Sequence, residues 1–364
     1  MLLLCALASI VVVNCMYYLL FSKFSLLKQK ISTNKETYPV SLIVCAKNEA
    51  ENLRKNIPLY LAQKYPDFEL ILINDTSTDD TLDVMEKFLE NDPRIHIVNI
   101  QSNETFWGNK KYALTLGIKK AKNKRILFTD ADCYPASKDW LSEMVSHLSE
   151  EKQLVLGYGP YEYKPGLLNT LIRFETVMTA IQYFSYAAAK NPYMGVGRNL
   201  AYTSQLYYTN NGFMSHIKTP SGDDDLFVNE AATKDNTALC FSENAFTYSK
   251  PKTTWSSWIL QKRRHITTAS LYKPQHKTAL GLYFITNLLF WLLAGASFIF
   301  ARWELAIAMT TFRFLIQYIV IGSSIRKLKE KGLLVFLPIL DLFLLLIQLS
   351  IFISNSHSKP KHWN

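Results

Sequence analysis

The sequence predicts an α/β chain: a doubly wound domain of mostly parallel strands, with one apolar helix before it and about three after it. Three observations point there. Between Tyr38 and about Leu156, short apolar runs alternate with segments of helical spacing, the pattern of strands joined by crossover helices. The candidate chemistry in that stretch follows the ends of the apolar runs, where open α/β sheets collect their ligands. The longest apolar runs lie towards the two ends of the chain, as membrane spans around a soluble middle would.

The first element is the run from Leu2 to about Ser22, interrupted only by Ser9 and Asn14 and long enough to cross a bilayer. No Lys or Arg precedes it, so it reads as an uncleaved anchor rather than a signal peptide. Lys23, Lys28, Lys30 and Lys35 follow, and the positive-inside bias puts the next segment in the cytosol.

Strands are expected at Val40–Cys45, Glu69–Asn74, Ile95–Asn99 and Arg125–Thr129, with helices carrying Leu53, Ile57 and Leu61, then Leu82, Met85 and Leu89. After the first strand comes Lys47-Asn48-Glu49. After the second comes Asn74-Asp75, with Ser77 or Thr78 placed to cap the next helix. The fourth run breaks into Asp130-Ala131-Asp132. Residues i and i+2 of extended backbone project to one side, so these two carboxylates can converge on one hard cation and hold it against a diphosphate. Gly108 with Lys110 at a helix start can set a cation beside a phosphate, without the spacing of a P-loop.

Further on, Leu167–Ala189 has helical spacing, and fits either the membrane interface or an ordinary core helix. Arg198 and Asn199 sit in the Gly-rich turn Gly195-Val196-Gly197, with side chains suited to hydrogen-bonding a substrate. Gly222 precedes Asp223, Asp224 and Asp225, and Leu226-Phe227-Val228 follows at once. A carboxylate partly desolvated among others has a raised pKa, suited to general-base work. Trp255 to His265 joins aromatics to Lys262, Arg263 and Arg264, a cluster that fits a leaving diphosphate or anionic lipid headgroups. Three more spans are expected at 280–300, 305–322 and 333–353. Arg313 and Asp341 lie within the last two, each about 14 Å from the basic loop of Arg326 to Lys331. An unpaired charge there is costly, so they are expected to meet as an ion pair.

Composition narrows the function. The formal charge is +10 over 364 residues, but much of the Lys and Arg flanks apolar segments, which favours a membrane surface and phosphorylated ligands over nucleic acid. Five scattered Cys without a C-x-x-C argue against a disulfide framework or a zinc site and suit a reducing compartment. The expected parts are an anchor (1–22), an α/β domain (38–250), an amphipathic basic segment (251–279), three spans (280–353) and a tail (354–364).

In this order the motifs resemble glycosyltransferase family 2, the inverting enzymes with a GT-A fold, over roughly residues 38 to 270. Val40 to Glu49 is similar to the family's first strand and N-E. Asn74-Asp75-Thr76-Ser77-Thr78-Asp79 looks like its D-D-x-S-x-D, and Gly108 to Leu114 like its G-K-x-x-A-L with one residue inserted. Asp130-Ala131-Asp132 matches its D-x-D, Gly222-Asp223-Asp224 its G-E-D, and Gln261 to His265 the Q-x-x-R-W of membrane-bound members. Asn74, Asp223 and His265 depart from the usual Asp, Glu and Trp. His265 weighs against processive polymer synthesis.

The resemblance implies that Glu49, Asp75, Lys110, Asp130 and Gln261 bind a UDP- or GDP-sugar donor. Asp132 with Asp130 would hold Mg²⁺ or Mn²⁺. Asp224 would be the catalytic base, Asp223 would share the catalytic site, Arg264 would help stabilise the departing diphosphate, and Arg198 and Asn199 would meet the acceptor. The expected activity is inverting transfer of a sugar to a lipid or lipid-linked acceptor, by a multi-pass protein of the bacterial inner membrane with its catalytic domain in the cytosol. The alternatives are a processive polysaccharide synthase and a non-catalytic nucleotide-sugar-binding component.

Overall fold

The computed structural model describes residues 1–29, 37–100 and 110–357. The chain divides into an α/β unit, residues 28–162 and 190–251, and a helical unit, residues 1–27, 163–189 and 252–357.

In the α/β unit, β1 (Val40–Ala46), β2 (Phe68–Asp75), β3 (Ile95–Ile100) and β4 (Arg125–Asp130) are parallel. Helices α2 (Ala50–Leu61), α3 (Thr81–Leu89) and α4 (Lys110–Lys120) connect them, and α1 belongs to the helical unit. After α5 (Trp140–Val145), β6 (Leu154–Leu156), β7 (Leu200–Thr203) and β8 (Thr237–Leu239) extend the sheet to the order β3-β2-β1-β4-β7-β6-β8, with β7 antiparallel to both neighbours. A separate antiparallel pair joins β5 (Cys133–Pro135) to β9 (Thr247–Ser249).

Helices cover both faces, which is why the central strands read as unbroken apolar runs. Leu42 and Val44 pack with Leu53 and Ile57 of α2 on one face. On the other face α4 approaches so closely that a Cβ on Gly117 would stand 2.4 Å from Ile73 Cδ1. Leu42, Ile43 and Val44 are fully buried, and each contributes about 1.5–3 kcal/mol of transfer free energy. Glu69, an acid inside β2, is tolerated because its Oε1 accepts from Ser41 Oγ (2.6 Å) and the Lys122 N–H (2.7 Å).

The four expected strands are present within a residue or two of their expected bounds. Two local expectations change. The N-cap of α3 is Asp80, while Asp79 Oδ1 accepts the Thr81 N–H (3.1 Å) and Ser77 Oγ instead accepts the Asn48 N–H (3.0 Å). The α/β domain is also not one continuous stretch, because α6 (Leu167–Ala188) belongs to the helical unit. Its Arg173 is buried, and donates from Nε to Glu330 Oε2 (2.8 Å) and from Nη2 to Lys331 O (2.9 Å).

Two short helices, α7 (Ser204–Thr209) and α8 (Asp225–Ala231), complete the α/β unit, and α9 (Trp255–Ala269) returns the chain to the helical one. Among the described residues four helices are long and apolar enough to cross a membrane. They are α1 (Leu2–Ser25), α10 (Pro274–Phe300), α11 (Trp303–Lys327) and α12 (Leu337–His357), the last entered through a 3-10 turn at Leu334–Phe336. Arg313 of α11 ties them together. It donates to Asn14 of α1 (2.7 Å) and Asn287 of α10 (2.7 Å), and lies 3.4 Å from Asp341 of α12. Its guanidinium also sits 4.0 Å above the Phe290 ring. The expected Arg313–Asp341 pair is thus one edge of a network touching every span. At the ends of α1 and α11, Lys327 Nζ donates to the carbonyls of Phe24 (2.6 Å), Ser25 (2.8 Å) and Leu27, satisfying groups that a helix C-terminus leaves open.

Removing one partner of a buried ion pair leaves the other uncompensated, at a cost of several kcal/mol. Arg313→Leu is therefore expected to destabilise the detergent-solubilised protein by about 3 kcal/mol, with Asp341→Leu added to it restoring most of the loss. Unchanged thermal unfolding of the single variant would contradict this.

Candidate active site

The C-terminal ends of β1, β2 and β4 lie side by side, with Cys45 level with Asp130 and Ala46 with Asn74. The loops after β1 and β2 are laced together. Asn48, at φ 56°, accepts the Thr78 N–H on Oδ1 (2.8 Å), and the Glu49 N–H donates to Thr81 Oγ1 (2.8 Å). Asn74 accepts the Ser77 N–H (3.2 Å) and donates to Asn99 Oδ1 (2.8 Å), so it shapes the turn. Asp75 is half-buried, and burial raises its carboxyl above the ordinary range against the pull of Lys47 and Lys110. Glu49 Oε2 accepts from Asn52 Nδ2 (2.6 Å).

A small cleft is lined by Cys45, Lys110, Asp130, Tyr202, Asp223 and Asp224, among others. Lys110 Nζ stands 2.6 Å from Asp130 Oδ1 and 3.1 Å from Asp223 Oδ2. Burial alone would lower its pKa, but the two carboxylates hold it well above the usual lysine value. The neighbouring Lys111 serves the framework. It is buried and donates to the carbonyls of His216 (2.6 Å) and Thr219 (2.8 Å), and burial brings it down to about 8. Gly108 and Asn109 lie outside the described residues.

The loop held by Lys111 leads to Gly222, whose φ of 103° favours glycine and where a Cβ would meet Leu226 Cδ1 at 2.4 Å. The chain then delivers Asp223 to Lys110, and Asp224 to the N-cap of α8. Asp224 accepts the Asp225 N–H on Oδ1 and the Gly197 N–H on Oδ2, both at 2.7 Å. Burial, then the charges of Asp223 and Asp225, push its carboxyl up to about 7 despite Lys110 and the Gly197 N–H.

Asp130, Asp132 and Cys133 bring one ligand atom each within 4.8 Å of one another. The carboxylates are hard oxygen donors that fit Mg²⁺ or Mn²⁺. Burial and then the neighbouring Asp130 raise Asp132 above its ordinary pKa, a strain that a dication would relieve. The Cys133 thiol does not fit a hard metal: burial and the adjacent acids keep it protonated, and it donates to Asp132 Oδ1 at 3.5 Å.

Arg198 and Asn199, paired in the sequence reading, separate here. Arg198 lies 4.3 Å over the Tyr161 ring, donates to Ser249 Oγ (3.1 Å), and lowers the pKa of Asp132 by its charge. Its carbonyl accepts from Thr129 Oγ1 (2.9 Å) and Thr247 Oγ1 (2.8 Å), fixing the turn beside β4. Asn199, expected at the acceptor, turns inward. Its side chain is fully buried, accepting from Trp140 Nε1 (3.0 Å) and donating to the carbonyls of Tyr158 (2.9 Å) and Ala245 (2.7 Å). Gln261 and Arg264 fall on α9 of the helical unit. In the same unit Lys262 pairs with Glu175 (2.5 Å) and Arg263 donates to Asn355 Oδ1 (2.8 Å). Lys111 and Tyr202 carried no signal in the sequence that set them apart. Only the doubled Lys at the start of α4 hinted at a second, structural cation.

A doubly wound sheet with paired carboxylates at one strand end and a half-buried, cation-neighboured acid in the same cleft has the architecture in which open α/β sheets collect their ligands. Residues 41–198 match the model of Glycosyl transferase family 2. An uncharacterized glycosyltransferase of Haemophilus influenzae is 31% identical over 153 residues, 42% of this chain and 44% of its own. The UDP-Glc:alpha-D-GlcNAc-diphosphoundecaprenol beta-1,3-glucosyltransferase WfaP of Escherichia coli is 29% identical over 125 residues, 34% of this chain and 45% of its own. The chain spans less than half the length of these curated relatives. In fold it is similar to a mannosyltransferase of Pyrobaculum calidifontis solved with GDP-Man and Mn²⁺, at 16% identity and a TM-score of 0.59, covering 90% of this chain and 100% of that one.

Asn199→Ala strands three buried hydrogen-bonding partners, each worth about 1 kcal/mol or more. It is expected to lower stability by about 3 kcal/mol while donor affinity, measured by calorimetry below the melting point, stays unchanged. A stable variant that loses only acceptor affinity would contradict this.

Proposed function

We propose that the chain is a metal-dependent inverting glycosyltransferase that moves a sugar from a nucleotide-sugar to a lipid or lipid-linked acceptor at the cytosolic face of a bacterial inner membrane. One observation carries this: a half-buried carboxylate, Asp224, with its pKa near neutrality, shares a cleft with Asp130, Asp223 and Lys110.

A base poised near the working pH both accepts a proton readily and is substantially ionised. Asp224 takes the proton of the acceptor hydroxyl as its oxygen forms a bond to the anomeric carbon. The bond from that carbon to the diphosphate oxygen breaks, and the nucleoside diphosphate leaves with the electron pair. A single displacement of this kind inverts the anomeric configuration. Backbone N–H groups of Gly197 and Asp225 hold Asp224 in place, so it is aimed before the substrate arrives. Lys110 supplies positive charge to the leaving diphosphate, with Arg198 beside Asp132. Glu49 and Asp75 are assigned to the nucleoside. Asp130 and Asp132 would hold the divalent cation, which when bound neutralises diphosphate charge.

The membrane assignment is supported by the four apolar helices. The grip of Lys327 on the end of α1 brings the basic C-terminal ends of α1 and α11 together, and the positive-inside bias makes that end cytosolic. The lipid-linked acceptor named for the Escherichia coli relative belongs to the class expected here.

Asp224→Asn is expected to bind donor normally and lose about 10²–10⁴-fold in turnover, read as transfer of labelled sugar into lipid extracts. Retained turnover would remove Asp224 as the base. Because the base must be ionised, kcat/KM should rise about tenfold per pH unit towards pH 7 and level above it. Stability should run the other way. Only the folded state keeps this carboxyl protonated above the ordinary carboxylate range, so stability falls as pH rises through about 7. Asp224→Asn should flatten that fall.

A further inference from the structure

The Lys110 ammonium sits on the carboxylate that a metal would use. Its Nζ is 2.6 Å from Asp130 Oδ1, and the side chain is only 18% exposed. An oxygen accepting so short a charge-assisted bond has a lone pair committed to it, and an ammonium at that distance repels an incoming dication. The second anchor, Asp223 at 3.1 Å, keeps the lysine in place from the other side of the cleft. Lys110 pairs directly with Asp130 and Asp223, so the competition centres on Asp130. Lysine is a compact charge on a flexible four-carbon stem, able to change partners without moving the backbone. A diphosphate in the cleft offers it more negative charge than one carboxylate does.

We propose that Lys110 is an internal counterion that holds Asp130 against metal until a nucleoside diphosphate draws the ammonium away, so that metal and donor enter as a coupled pair. This rests on the donor-site reading above and adds an order of events to it. Without donor, the lysine neutralises Asp130 and Asp223 and keeps like charges from driving the cleft apart. With donor, the same cation moves to the phosphates and Asp130 joins Asp132 on the metal. Reciprocity then requires that metal strengthen donor binding by the factor by which donor strengthens metal binding.

The test is Mn²⁺ binding by the full chain in detergent, followed by electron paramagnetic resonance, first with Mn²⁺ alone and then with UDP or GDP present. Lys110→Met should bind Mn²⁺ alone about tenfold or more tightly than the unaltered protein, and Lys110→Arg, which keeps the charge, should not. Lys110→Gln serves in place of Lys110→Met if that variant does not fold. Equal or weaker Mn²⁺ binding by the uncharged variant overturns the proposal, and leaves the donor-site reading intact if the unaltered protein still binds UDP or GDP in a metal-dependent way. If no form binds Mn²⁺ under either condition, and Asp132→Ala behaves like the unaltered protein, both fall.

Discussion

The α/β unit depends on how several carboxylates are kept together where water is scarce. Asp130, Asp223 and Asp224 line one cleft, and Asp132 follows two residues after Asp130. Side by side and unpaired they would repel and take up protons. Lys110 prevents that by bridging Asp130 and Asp223, while Asp224, bonded to two backbone N–H groups, keeps a pKa near neutrality. One cation therefore divides the acids into different kinds: carboxylates suited to a metal, and one suited to exchanging a proton.

The sheet puts these groups within reach of one another. Parallel strands end on one side, so residues far apart in the chain, such as Cys45, Ile73 and Asp130, arrive level. The antiparallel β7 runs back beside β4 and brings the Gly197 turn with it. Gly222 then lets the last two acids enter the cleft by a backbone turn that other residues rarely adopt.

Much of this was legible in the amino-acid order, for a physical reason. Central strands buried on both faces must be continuously apolar, so β1, β2 and β4 announced themselves and the acids at their ends stood out. Three-residue strands such as β6 and β8 carry too little pattern to read. The hydrogen bonds of Asn199 were not legible, because a polar residue in a glycine-rich turn looks the same whether it meets a ligand or satisfies buried carbonyls and an indole. Lys110 and Lys111 are adjacent in sequence, and only the direction in which α4 presents them separates a cleft cation from a framework one. In the helical unit Arg313 and Asp341 were legible as a pair because charge in an apolar span has few alternatives. The roles of Asn14 and Asn287 emerged only from the packing.

The central claim is tested most directly by a structure of the protein with Mn²⁺ and an unreactive nucleotide-sugar, using the anomalous scattering of the metal. The account predicts a Mn²⁺ peak on Asp130 and Asp132, Lys110 on the diphosphate, and the Asp224 carboxylate facing the anomeric carbon from the side opposite the leaving group. A metal bound elsewhere, or an Asp224 turned away from the sugar, would contradict it.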